Sequence, residues 1–143
     1  MTNQYHRDSE TQSSTEKNYL IEENKITERI IKCAIEVHKQ LGPGLLESIY
    51  EVCLVKEFDI GGLTYSKQQE LPIIYKNIEL PEHYRVDLIV EKKIVVEIKC
   101  VESILPVHQA QVLTYLRLTG LKLGLILNFY SELMKKGIKR VIL

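Results

Sequence analysis

Apolar residues recur three and four positions apart along the first third of the chain, which is the spacing of one helix face. Between residues 26 and 41 this pattern predicts a helix with a buried face of Ile30, Ala34, Val37 and Leu41. The run Gly42-Pro43-Gly44 predicts its end, because glycine and proline both disfavour helix. A second helix is predicted from Leu45 to about Phe58, with a buried stripe of Leu46, Ile49, Tyr50, Cys53 and Leu54.

The rest of the chain has the shorter apolar runs, separated by turn residues, that are typical of strands. The predicted strands are 68–75, 82–90, 94–100, 121–129 and 138–142, and the predicted helices between them are 107–118 and 131–136. Lys76-Asn77 is the predicted turn of the first hairpin. Two helices, a three-stranded antiparallel meander, a helix and two further strands indicate an α/β (α+β) fold, in which helices flank one mixed central sheet.

Three charged residues interrupt two of these apolar strands: Asp87, Glu97 and Lys99. Charged side chains rarely lie within buried strands unless they are paired or bind a metal. Side chains alternate between the faces of a strand, so Glu97 and Lys99 point the same way. These residues are therefore candidates for chemistry.

The turn between these two strands decides whether the two acids can meet. If residues 91–93 form it, Val90 pairs with Ile94 and Asp87 lies across from Glu97, with Cβ atoms roughly 4.5–5.5 Å apart. A two-residue turn would place the acids on opposite faces. In the first register they can hold one divalent cation, with a lysine beside an attacking water. The alternative is an ordinary Lys–Glu cross-strand pair on a solvated face.

The length, hydrophobic content and net charge of the chain limit the classes of protein to which it can belong. The chain has 143 residues, 45% of them hydrophobic, and no net charge, which suits one domain with a core and argues against a strongly basic nucleic-acid binder. Basic residues are nevertheless in excess over residues 101–143, where six Lys and Arg face two acids and could meet phosphates. A merely solvated set of lysines explains that excess equally well.

The N-terminal segment and the cysteines give further expectations about the chain. Residues 1–18 contain no aliphatic residue after Met1, which predicts a flexible tail before a single domain at 19–143. The tail lacks the apolar segment of a signal peptide, and no later run is long enough to span a membrane. Cys33, Cys53 and Cys100 are widely spaced, which favours reduced thiols and a cytoplasmic location.

Several motifs occur together in an order that resembles the PD-(D/E)XK nuclease superfamily. Within it the chain resembles the GxxExxY protein family, over roughly residues 24–143. The motifs are Gly44-Leu45-Leu46-Glu47-Ser48-Ile49-Tyr50, Asp87, Glu97-Ile98-Lys99 and Gln111-Val112-Leu113-Thr114-Tyr115. Val86 stands where the superfamily often has proline. Taken singly, Glu47 also suits the first turn of any helix, and Gln111 and Tyr115 suit any amphipathic helix.

The resemblance implies a restriction-endonuclease-like αβββαβ core and a role for each motif residue. Asp87, Glu97, Glu47 and the backbone carbonyl of Ile98 are then the expected ligands of Mg²⁺ or Mn²⁺. Lys99 acts with Asp87, Glu97 and Glu47 in catalysis, and Gln111, Tyr115 and Tyr50 support the ligands or contact the substrate.

The function implied is metal-dependent hydrolysis of phosphodiester bonds in nucleic acid, with DNA as the expected substrate and partner. The alternative is a catalytically weak or inactive module of the same fold that binds nucleic acid or a protein. A wholly structural role would make the three charged strand residues a coincidence. The sequence leaves the oligomeric state open.

Overall fold

The computed structural model describes residues 20–143, so the predicted tail at 1–18 lies outside the described residues. In chain order the elements are helix α1 (Ile21–Leu41), helix α2 (Glu47–Gly61), strands β1 (Tyr65–Tyr75), β2 (Ile78–Val90) and β3 (Ile94–Lys99), helix α3 (Pro106–Thr119), strand β4 (Leu123–Asn128), a 3₁₀ turn (Met134–Gly137) and strand β5 (Ile138–Ile142). Within residues 20–143, no helix is long and apolar enough to cross a membrane.

The five strands form one mixed sheet in the order β1-β2-β3-β4-β5. Neighbouring strands are antiparallel except for β3 and β4, which run parallel and are connected through α3. Helices α1 and α2 cover one face of the sheet and α3 covers the other, so two separate apolar clusters form. This architecture confirms the predicted α+β fold with helices on both sides of a mixed sheet.

The close fit of α3 against the sheet depends on a glycine in β4. A Cβ atom at Gly124 would lie 2.6 Å from Cγ1 of Val112, which is on the face of α3 that packs against the sheet. Real Cβ atoms do not approach that closely, so the absence of a side chain at Gly124 sets the distance between helix and sheet.

The predicted order of elements is confirmed, but four local predictions are wrong. Leu46 and Ile49 in the predicted stripe of α2 are 72% and 44% exposed, and Leu41 is 37% exposed. The helix begins at Glu47, two residues later than predicted, and its buried face is Tyr50, Leu54, Val55 and Phe58. The predicted helix at 131–136 is only the four-residue 3₁₀ turn.

The hairpin of β1 and β2 contains an irregularity that moves its register. Near its turn, Tyr75 pairs with Ile78 and Ile74 with Glu79, yet further from the turn Pro72 pairs with His83. The extra residues of β2 include Pro81, which has no N–H group to give to a ladder. All pairs beyond this bulge are displaced by two residues along β2 relative to those at the turn.

Candidate active site

Strands β2 and β3 separate where the two acidic residues lie. The ladder pairs Val90 with Ile94 and Leu88 with Val96, as a turn at residues 91–93 predicts, and ends there. At the next position, the side chains of Asp87 and Glu97 accept hydrogen bonds that backbone carbonyl groups accept in a regular ladder. The N–H of Asp87 donates to Oε1 of Glu97 at 3.0 Å, and the N–H of Ile98 donates to Oδ2 of Asp87 at 2.9 Å. The two carboxyl groups are thus fixed between the separating strands.

Glu97 is buried, with 3% of its surface exposed. Burial raises the pKa of its carboxyl group to about 8, and the nearby negative charge of Asp87 adds to the increase. The N–H of Asp87 and the charge of Lys99 act in the opposite direction without cancelling it. Ionisation of both carboxyl groups is unfavourable at this short distance unless a cation binds between them.

Lys99 is the last residue of β3 and is half-buried. It pairs with Asn128 at the end of β4, so it lies at the carboxyl end of the two parallel strands. Its charge reaches Glu97, although none of the ion pairs within 4.0 Å found among residues 20–143 includes Lys99. The ammonium group is therefore near the acids without being tied to either.

Glu47 approaches the same end of β3 from the first turn of α2. Its Oε1 atom accepts a hydrogen bond from the N–H of Cys100 at 3.2 Å, one residue after Lys99. Among the described residues, no group of three or more His, Cys, Asp and Glu side chains is arranged to hold a metal ion. Glu47 thus stands beside the acidic pair, and the structure does not bring it into one cluster with Asp87 and Glu97.

Tyr50, which was expected to support the ligands or to contact the substrate, lies in the core beneath the loop that leads into α2. It is fully buried and stacks on Phe129, with ring centroids 4.4 Å apart. Its hydroxyl donates to the carbonyl oxygen of Gly42 at 2.6 Å and accepts from the N–H of Leu45 at 3.2 Å. Tyr50 therefore fixes the loop that leads into α2 and presents Glu47.

Helix α3, which covers the face of the sheet opposite α1 and α2, brings a tyrosine to the acidic pair. Tyr115 is 2% exposed, and its hydroxyl accepts a hydrogen bond from the amide of Gln111 at 2.8 Å. Burial and the nearby charges of Glu97 and Asp87 raise the pKa of Tyr115 to about 12, so its hydroxyl stays protonated. Tyr84 of β2 packs edge-on against the same ring, at 5.9 Å between centroids. Tyr115 is therefore a buried neighbour of the acidic pair.

Two residues near Asp87 were missed by the sequence analysis. The Nε2 atom of Gln68 in β1 lies 3.1 and 3.0 Å from the two carboxylate oxygens of Glu51, and 3.5 Å from Oδ1 of Asp87. Glu51 follows Glu47 by four residues, so both acids lie on one face of α2, and that spacing was a usable signal. Nothing in the sequence indicated Gln68, because the bulge in β2 decides which residue faces Asp87.

A mixed five-stranded sheet with helices on both faces, and two carboxyl groups between separating strands, defines an α+β domain of the nuclease type. Residues 24–141 match the model of a family in the PD-(D/E)XK nuclease superfamily, and the chain belongs to that superfamily. No curated protein and no solved structure matched the chain. The narrower likeness to the GxxExxY proteins remains a resemblance.

Nucleases of this superfamily generally use divalent metal ions, and they bind nucleic acid. The side chains present fit such an ion. Asp87 and Glu97 offer hard oxygen donors, which suit Mg²⁺ and Mn²⁺. Burial and the charge of Asp87 raise the pKa of Glu97, and a divalent cation between the two carboxyl groups would favour their ionised forms instead.

Proposed function

We propose that this protein is a metal-dependent nuclease that hydrolyses phosphodiester bonds in nucleic acid, with DNA as its substrate. The observation that carries the proposal is the acidic pair Asp87 and Glu97 at the separation of β2 and β3, with Lys99 at the end of the same strand. Membership of a nuclease superfamily supports the type of reaction. The three free cysteines in the described residues agree with a reducing, cytoplasmic location, which we propose as well.

In this proposal Asp87, Glu97 and the backbone carbonyl of Ile98 hold one Mg²⁺ or Mn²⁺. When bound, the cation supplies positive charge that activates water and stabilises the phosphate in the transition state. Glu97 must release its proton to serve as a ligand, because a protonated carboxyl group is a poor donor to a cation. The hydrogen bond from Ile98 keeps Asp87 oriented towards Glu97 before the cation arrives.

Lys99 acts on the reacting groups in this scheme. Lys99 is half-buried near the acids, and none of the ion pairs among the described residues includes it. Its ammonium group is therefore able to orient the attacking water or to stabilise charge that develops on the phosphate. Glu47, which contacts the N–H of Cys100, fixes the end of β3 where Lys99 lies and would serve the cation either directly or through water. Gln111 keeps the Tyr115 hydroxyl in place beside the carboxyl groups.

A second candidate is a domain of the same fold that binds nucleic acid or a protein and cleaves little. The zero net charge favours it, since phosphate binding usually calls for an excess of basic residues. Cleavage assays separate the two candidates, because both allow binding of nucleic acid but only the first predicts efficient turnover.

The direct test is nicking of supercoiled plasmid, single-stranded DNA and RNA in Mg²⁺ and in Mn²⁺, with EDTA as the metal-free control. We expect cleavage of DNA by the wild type that EDTA and Asp87→Ala both abolish. Asp59→Ala is the matched control, because Asp59 is an exposed aspartate whose contact is the hydroxyl of Tyr65. Cleavage that survives Asp87→Ala undiminished would place the activity elsewhere, and no cleavage of any substrate would favour the binding domain.

A further inference from the structure

Gln68 has a backbone conformation that is unusual inside a strand. Its φ angle is 50°, in the left-handed region, although it lies within β1 and is not a glycine. The ladder with β2 pairs Lys67 with Leu88 and Gln69 with Val86, and is interrupted at the position between them, where Gln68 faces Asp87. A non-glycine residue in this conformation is unfavourable by itself, and such residues concentrate at functional sites.

The amide group of Gln68 is surrounded by carboxylate oxygens. Its nitrogen lies 3.1 and 3.0 Å from the oxygens of Glu51 and 3.5 Å from Oδ1 of Asp87. Three acceptors around one atom also fix the orientation of the amide, because the carbonyl oxygen in that place would face negative charge. The side chain thus connects α2 to the acidic pair.

The contacts of Asp87 show what this connection does. Its Oδ2 atom accepts from the N–H of Ile98 at 2.9 Å, on the β3 side, and its Oδ1 atom faces the Gln68 amide on the β1 side. Donors on both oxygens hold the plane of a carboxylate better than one donor does, and each oxygen keeps a further lone pair for a cation. The ligating carboxylates of metal sites are commonly held by such hydrogen bonds.

We propose that Gln68 is a positioning residue for Asp87, with Glu51 as its anchor on α2. This inference rests on the proposed role of Asp87 as a metal ligand. The unusual φ angle directs the amide towards Asp87, and the negative charge of Glu51 holds the amide there. A purely structural contact between helix and strand would hold α2 in place without any effect on Asp87.

The experiment compares Gln68→Gly with the wild type. Glycine accepts the positive φ angle without strain, so this variant removes the amide and keeps the backbone. Gln69→Gly is the matched control, one position along the same strand, where the side chain contacts Ser66. Glu51→Ala is the second variant, on an exposed part of the contact, and leaves the backbone of β1 unchanged.

Two quantities are measured for each protein. The first is the dissociation constant for Mg²⁺ and for Mn²⁺ by calorimetry, which we expect to weaken about tenfold in Gln68→Gly and less in Glu51→Ala, with Gln69→Gly like the wild type. The second is the NMR signal of the Ile98 N–H in EDTA, together with its hydrogen-exchange rate. Loss of the Gln68 donor lets Asp87 turn, so we expect the signal to shift and the exchange to accelerate.

Metal affinity and the Ile98 signal together distinguish the positioning role of Gln68 from the proposed metal binding on which it rests. If the wild type binds neither metal, the proposed function fails, and the Ile98 signal in EDTA still decides whether Gln68 positions Asp87. If the wild type binds metal but Gln68→Gly and Glu51→Ala match it in affinity and in the Ile98 signal, the positioning role is overturned. Should Gln68→Gly not fold, Glu51→Ala decides by the same two readouts.

Discussion

The backbone N–H of Asp87 donates a hydrogen bond to the side chain of Glu97 at 3.0 Å. In an unbroken antiparallel ladder that N–H would be available to a backbone carbonyl of the neighbouring strand. The carboxyl group of Glu97 instead replaces the backbone partner, and Asp87 does the same for Ile98. The separation of the strands and the meeting of the two acids are therefore one structural feature.

The first prediction concerns pH and stability without metal. Burial and the charge of Asp87 raise the pKa of Glu97 from its ordinary 4.5 to about 8. Between these values the folded protein binds a proton that the unfolded chain has released, so the free energy of unfolding falls as pH rises. We expect urea denaturation in EDTA to show this fall between about pH 4.5 and 8, by roughly 1–4 kcal/mol.

The control for this prediction is Glu97→Gln, which has no titrating group at that position. Its stability should depend less on pH over the same interval, and should exceed that of the wild type at pH 8. A wild type whose stability rises through the interval, or a variant with the same decline, would show that Glu97 does not carry the effect.

The second prediction separates the role of Lys99 from that of the acids. In Lys99→Ala both carboxyl groups remain, so Mg²⁺ should bind at least as well as in the wild type. Cleavage should fall about 10²–10³-fold, because the lysine acts on charge that develops in the transition state. The measurement is single-turnover nicking at saturating metal, beside calorimetry of metal binding.

Lys93→Ala is the matched control for Lys99→Ala. Lys93 lies just before the other end of β3, where it contacts Glu22 at the surface. Its replacement should leave both cleavage and metal binding unchanged. A loss of metal affinity in Lys99→Ala equal to its loss of cleavage would contradict the role assigned to Lys99.

The third prediction concerns Tyr50. Tyr50→Phe keeps the stacked ring and removes a hydroxyl that makes hydrogen bonds to Gly42 and Leu45. We expect a loss of about 1–2 kcal/mol in the free energy of unfolding, because the loop loses two partly buried hydrogen bonds. Metal affinity should change little, since Tyr50 does not touch the acids. Denaturation in urea, compared with Tyr75→Phe at an exposed position, measures the loss.

The fourth prediction tests how α3 is held against the sheet. Gly124→Ala places a methyl group 2.6 Å from Cγ1 of Val112, so the helix has to move. We expect a destabilisation of about 1–3 kcal/mol. Val112→Ala removes the clashing atom, and the double variant should therefore be more stable than the sum of the two single changes implies. Strict additivity in thermal or urea denaturation would show that the two residues do not meet.

Much of the fold could be predicted because local patterns determine it. Alternation in β2 and β3, and the odd-length turn at residues 91–93, are sufficient to bring Asp87 across from Glu97, as the pairing of Val90 with Ile94 shows. The order of the elements followed from apolar spacing and from glycine and proline positions. The buried stripe of α2 could not be read in the same way, because apolar residues occur on several of its faces and the packing of the helix selects one.

Which side chains surround Asp87 depends on the pairing of β1 with β2, and the sequence does not determine that pairing locally. With the two-residue turn at Lys76-Asn77 and regular pairing, Gln68 would face Arg85, but the bulge near Pro81 moves the register so that it faces Asp87. Residue propensities do not predict the positive φ angle of Gln68 either, because glutamine rarely adopts it. A bulge and a single positive φ angle depend on how the strands pair, so the sequence alone does not predict them.

The central claim is that Asp87 and Glu97 together bind a divalent cation, and metal titration by calorimetry tests it most directly. The titration is made at pH 7 in two buffers with different ionisation enthalpies, on the wild type, Asp87→Ala and the control Asp59→Ala. With the pKa of Glu97 at about 8, binding should release close to one proton per cation in the wild type and in the control. Asp87→Ala should bind at least about tenfold more weakly. Undiminished binding by Asp87→Ala, or no binding by the wild type, would contradict the account.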